Sequence, residues 1–115
     1  MQIHVKTDNH IEGSDDLTGR VEDVVTASLD RFGDLITRVE VHLNDVNAQK
    51  HGVDKRCMME ARVSGRESVV VTHMADSLDD AIHGAADKLE KTLDRTVEKI
   101  TEKKGRTSFG GDQTI

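Results

Sequence analysis

Two periodicities run along the chain, and they divide it into strands and helices. Near the N-terminus Ile3 and Val5 alternate with Gln2, His4 and Lys6, the period of two that predicts a short strand with one face buried. The period then lengthens. Leu17, Val21, Val24, Val25, Ser28 and Leu29 recur at helical spacing, behind Ser14 as N-cap and with Asp15 and Asp16 in the first turn, where the helix dipole favours anions. Gly33 is placed to close that helix. Alternation returns at Val39, Val41 and Leu43, set against Arg38, Glu40, His42 and Asn44, and predicts a second strand. A polar loop, 45–54, leads to a third strand over 55–63, with Cys57, Met59, Ala61 and Val63 inward and Arg56, Met58, Glu60 and Arg62 outward. Ser64, Gly65 and Arg66 make a hairpin turn into a fourth strand over 68–74. Ser77 and Asp80 resemble a capping box that opens a last helix, running to about Lys103 before Gly105.

The order β-α-β-β-β-α predicts an α+β domain in which two helices pack on one face of a four-stranded sheet and bury both apolar faces together. We expect the domain to span 1–104, with a Gly-, Ser- and Thr-rich flexible tail over 105–115. At 115 residues the chain can enclose one core. That core must be aliphatic, because Phe32 and Phe109 are the only aromatic residues. Their scarcity argues against a nucleic-acid binder that works by stacking bases on rings.

Projected on a helical wheel at about 100° per residue, the last helix carries three stripes. Ala85, Ala86, Leu89, Leu93, Val97 and Ile100 fall within about 60° of Ile82 and form the face to be buried. Glu90, Asp94 and Glu98, joined by Asp87, lie to one side; Lys88, Lys91, Arg95 and Lys99 lie to the other. Lys103 continues the basic series and Glu102 the acidic one. The net charge of −6 opposes a phosphate-rich partner at long range, but its distribution is uneven. Residues 1–76 hold nine Lys and Arg against fourteen Asp and Glu, whereas 77–106 hold seven of each. The last helix can therefore sort its charges onto separate faces. A row of cations repeating about every 6 Å along a helix suits the phosphate backbone of a folded RNA, which can be recognised by shape without aromatic side chains.

Three stretches carry a resemblance to a known family: Asp54–Arg62 in the third strand, Ser77–Ile82 at the start of the last helix, and Asp87–Arg95 at its heart. With the element order, they make residues 1–104 similar to the ribosome hibernation-promoting factors, also called protein Y or RaiA. The resemblance implies a non-enzymatic, cytoplasmic factor. It would bind small-subunit ribosomal RNA in the decoding region and block mRNA and tRNA under stress. Lys88, Lys91 and Arg95 match basic positions of the family, and Lys99 and Lys103 extend the same face. Lys55, Arg56 and Arg62 on the third strand are further RNA-contacting candidates; Glu40 and Glu60 stand as their cross-strand neutralising partners. The first helix is poorer in cations than is usual for the family, with Arg20 and Arg31 set among Asp15, Asp16, Glu22, Asp23 and Asp30. By the same resemblance we expect the chain to be of the short class, without a second C-terminal domain, for which ribosome pairing is not implied. The alternative is a protein-interaction module, such as a modulator of an alternative sigma factor, acting through the acidic surface.

Other chemistry is thinly represented. The six histidines are scattered, with no helical i, i+4 pair of the kind that holds zinc, so no metal or cofactor is expected. Cys57 has no internal partner for a disulfide and falls on an inward strand position, which predicts a buried, inert thiol in a reducing compartment. No signal sequence or membrane-length apolar run is present, and neither a membrane nor DNA is expected as a partner.

Overall fold

The computed structural model describes residues 1–8, 11–46 and 54–108, and of residues 100–108 the backbone alone. The elements follow the predicted order: β1 (Gln2–Thr7), α1 (Asp15–Leu29), β2 (Ile36–Asp45), β3 (Lys55–Val63), β4 (Val69–Ala75) and α2 (Leu78–Ser108). The strands lie side by side in chain order, with β1 parallel to β2 and the other pairs antiparallel. Both helices cover one face of the sheet, α2 lying over β3 and β4 and α1 beside it.

The predicted caps form. Ser14 Oγ accepts a hydrogen bond from the Leu17 N–H at 3.0 Å, and Ser77 Oγ accepts one from the Asp80 N–H at 3.2 Å. Each satisfies a donor that the first helical turn leaves without an intrahelical partner. The helix ends differ from expectation. The α-helical turns of α1 stop at Leu29, and a 3-10 segment, Asp30–Leu35, leads into β2. Gly33 sits inside that segment at φ 55°, so it redirects the chain instead of closing the α-helix itself. At the other end α2 continues past Lys103 and through Gly105 to Ser108. A glycine costs a helix only about 1 kcal/mol, and it stands here between the good helix formers Lys104 and Arg106. The expected tail therefore begins as helix, and 109–115 lie outside the described residues, as do 47–53 of the loop before β3. Gly65 at φ 72° makes the β3–β4 turn, closed by the Arg66 N–H donating to the Val63 carbonyl at 3.1 Å.

The core is aliphatic. Val39, Val41 and Leu43 from β2 and Cys57, Met59 and Ala61 from β3 are fully buried against Val21, Val25 and Leu29 of α1 and Ala81, Ile82, Ala85, Leu89 and Leu93 of α2. Val97, assigned to the same face, is only half-buried, and the side chain of Ile100 lies outside the described residues. The first turns of α2 are built from small residues, and Gly84 is the tightest of them. A Cβ at Gly84 would fall within the His73 ring, which lies beneath the helix on β4. Glycine here sets how closely α2 approaches the sheet.

Gly84→Ala therefore overpacks this contact. Despite the gain in helix propensity, it is expected to lower stability by about 1–3 kcal/mol in denaturant unfolding. His73→Ala in the same chain should recover most of the loss. The Cys57 thiol offers a second check. Burial without a charged partner pushes its pKa from 9.0 up to about 12. The folded state thus keeps a proton that the unfolded chain loses above pH 9, so stability falls as pH rises from 9 toward 12. Cys57→Ala should flatten part of that slope, and in the native protein the thiol should resist alkylation at pH 8 until the chain is unfolded.

Candidate nucleic-acid interface

Burial of the Ile82, Ala85, Leu89 and Leu93 face fixes the rotation of α2 about its axis. The two charged stripes are then turned to opposite sides. Glu90 and Asp94 of the acidic stripe face the segment after α1. Arg31 Nη2 donates to Asp94 Oδ1 at 2.6 Å, and its Nε to Glu90 Oε2 at 3.4 Å, while the guanidinium lies 4.4 Å from the centre of the Phe32 ring. The hydrogen bond that Arg31 donates to Asp94, aided by Glu90, raises the Arg31 pKa further above its ordinary value. Arg20 Nη1 reaches Asp79 Oδ1 at 2.6 Å. Both cations noted around the first helix are thus directed at α2, and the remaining α1 carboxylates, among them Asp15, Asp16, Glu22 and Asp23, stay exposed or half-exposed.

The basic stripe is turned the other way, toward β4. Lys88, Lys91, Arg95 and Lys99 are all exposed, and they span about 16 Å along the helix. Lys91 Nζ lies 3.0 Å from Asp87 Oδ2, the i, i+4 pairing that compensates like charges along the stripe. Lys88 Nζ donates to the Thr72 carbonyl of β4 at 3.0 Å. Arg95 and Lys99 have no ion-pair partner among the described residues. At the far end of the stripe Lys99 and Thr96 line an open groove of about 620 Å³ with Gly65, Arg66 and Glu67 of the β3–β4 turn. Arg66 is a cation that helix periodicity could not have placed with the ridge, because a turn residue belongs to no wheel.

The structure does not bring all the predicted residues together. The side chain of Lys103 lies outside the described residues. Arg56 and Arg62 are exposed on the sheet face opposite the helices, where Arg56 Nη2 donates to Asn44 Oδ1 at 3.2 Å. Lys55 is at the end of β3, between Asp54 Oδ1 at 2.9 Å and Asp45 Oδ2 at 3.2 Å. The Asp54 hydrogen bond leads the interactions that raise its pKa. With its charge already balanced by two nearly buried carboxylates, Lys55 ties the ends of β2 and β3. On the helix-free face Glu40 is the local anion, 3.4 Å from Arg38, 3.7 Å from His42 and 3.8 Å from Lys6. Glu60 stands directly opposite Glu40 in the register, and neither carboxylate forms an ion pair with Arg56 or Arg62 among the described residues. No group of three or more His, Cys, Asp or Glu side chains gathers to hold a metal among the described residues.

Residues 3–101 match the family model described as Sigma 54 modulation protein / S30EA ribosomal protein. Among solved structures, the chain is similar to the N-terminal domain of Protein Y from Thermus thermophilus, with 26% identity and a TM-score of 0.68 over 84% of this chain and 99% of that one. It is also similar in fold to a ribosomal subunit interface protein from Coxiella burnetii, with 16% identity and a TM-score of 0.65 over 85% of this chain and 99% of that one. None of the curated proteins compared with it matches.

The pairing of Arg31 with the acidic stripe is solvent-exposed, so it should add little to stability. Arg31→Gln is expected to cost less than about 1 kcal/mol in denaturant unfolding at low salt, and about 1 M salt should erase most of the difference.

Proposed function

The chain belongs to the Sigma 54 modulation protein / S30EA ribosomal protein family, and from that premise we propose that it is a ribosome-associated factor that silences translation under stress. In this reading it acts without catalysis. It binds small-subunit ribosomal RNA in the decoding region and occupies space that mRNA and tRNA would otherwise take. The observation that carries the reading is the exposed row of Lys88, Lys91, Arg95 and Lys99, from which Glu90 and Asp94 of the same helix are turned away toward Arg31. Screening over about 10 Å at 0.1 M salt lets this row act on a nearby phosphate while the more distant carboxylates of the chain are damped. Contacts of this kind position a protein on folded RNA without reading its bases. The reading places the protein in the cytoplasm; no described helix is long and apolar enough to cross a membrane.

A second reading is favoured by a specific observation. Arg20 and Arg31 are engaged with α2 carboxylates, so α1 presents a mostly acidic outer surface. Such a surface suits a basic protein partner, and regulation of an alternative sigma factor belongs to this reading.

Co-sedimentation with purified small subunits separates the two. Binding should weaken steeply between about 50 and 200 mM salt, because each phosphate contact releases counterions. Joint replacement Lys91→Glu, Arg95→Glu and Lys99→Glu should lower binding at least about tenfold, with unfolding unchanged within about 1 kcal/mol. Retained binding would place the contact elsewhere, and a partner that survives RNase treatment of a lysate would favour the protein-interaction reading.

A further inference from the structure

β4 is one of the two edge strands of the sheet, β1 being the other, and the hydrogen-bond phase shows which of its groups face outward. The Val46 N–H donates to the Asp54 carbonyl at 2.9 Å, one step beyond the Asp45–Lys55 pair, which puts 46 and 54 in the hydrogen-bonded phase of the antiparallel β2–β3 register. By alternation, Met58 also turns its backbone groups toward β2, and Cys57 and Met59 turn theirs toward β4. Their partners His73 and Val71 are thereby bonded to β3. The N–H and C=O groups of Val70, Thr72 and Met74 consequently point away from the sheet. The Lys88 ammonium is found on one of those outward groups, the Thr72 carbonyl.

This edge has few other defences. Val69–Ala75 reads VVVTHMA, a run of β-favouring residues with no Asp, Glu, Lys, Arg or Pro. Its outward side chains include two of the most exposed large apolar groups among the described residues, Val70 at 54% and Met74 at 40%. The strand is also self-complementary. Thr72 is its midpoint, so two copies paired antiparallel about Thr72 would align the full strand. Val70 of each would lie beside Met74 of the other, both pairs in the bonded phase. Such an interface is isologous and closes after two copies. The strand itself is uncharged, and at the axis of such a pair the two Lys88 ammonium groups would meet as like charges while also competing for the central carbonyls.

We propose that β4 is a self-recognition edge latched by Lys88: while Lys88 holds the Thr72 carbonyl the edge stays closed, and once that ammonium is withdrawn β4 pairs antiparallel with β4 of a second copy. The proposal stands on the edge geometry and does not require the ribosomal reading. It assigns Lys88 a duty that Lys91, Arg95 and Lys99 do not share.

The test compares the intact chain with Lys88→Ala and, as a control for loss of one ridge charge, Lys91→Ala. Sedimentation equilibrium should show a dimer at least about tenfold tighter for Lys88→Ala than for the intact chain, with Lys91→Ala unchanged, since a like-charge contact at an interface costs several kcal/mol. Register is read by a cysteine. Across a bonded antiparallel pair the Cα atoms are about 5.5 Å apart, within disulfide reach. Thr72→Cys should therefore cross-link two copies under mild oxidation when Lys88 is alanine and much less when it is lysine; buried Cys57 takes no part. Met74→Cys, displaced from the axis, should cross-link poorly in both. Lys88→Met, which keeps the aliphatic stem, should behave as alanine does. Two results would overturn the proposal: Lys88→Ala and Lys88→Met associating no more than the intact chain, or Thr72→Cys linking no better than Met74→Cys.

Discussion

The seating of α2 on β3 and β4 governs everything else in this domain. Ala81, Ala85 and Ala86 bring the helix down onto the sheet, Gly84 lets it pass over His73, and Leu89 and Leu93 complete the contact with the aliphatic core. Close packing leaves the helix one rotation about its axis, because a turn of even one residue position would drive a charged stripe into the core. The long charged helix is thus oriented by its uncharged face.

From that rotation the electrostatics follow. A chain of net charge −6 presents a cationic row because Asp79, Glu90 and Asp94 of α2 are turned toward Arg20 and Arg31, while Lys88 is turned toward the sheet edge. The scarcity of cations around α1 acquires a structural sense: the two that are there neutralise α2, and the rest of that helix is left acidic. One surface then suits phosphate and another suits basic partners, and the fold keeps them on different sides of α2.

Lys88 belongs to two systems at once. It is a member of the exposed row, and it also covers an outward carbonyl of an otherwise unprotected β4. A lysine beside an edge strand is a common defence against unwanted strand addition. Here the defending group and the anion-binding group are one ammonium, so the two roles draw on the same charge.

Much of this was legible in the chain itself. Periods of two and near 3.6 located the strands and helices, Ser14 and Ser77 marked the helix starts, and the wheel separated the stripes of α2 before any fold was known. Such features depend on neighbours a few residues apart, which is the range over which local geometry acts. The misplaced features were long-range ones or weak local signals. Gly33 and Gly105 looked like helix stops, yet one redirects the chain after α1 and the other sits within α2, since a lone glycine costs too little to end a helix by itself. Lys55, Arg56 and Arg62 all lie on β3, but Lys55 is held by Asp45 and Asp54, and the arginines face away from the ridge, because strand alternation and sheet layering divide residues of one strand. Arg66 joins Lys99 only through the β3–β4 turn, and Lys88 meets Thr72 only through the packing of α2 on β4. The sequence by itself determined which charges share a helical stripe; only the tertiary structure decided what each stripe faces, because that depends on contacts between elements far apart in the chain.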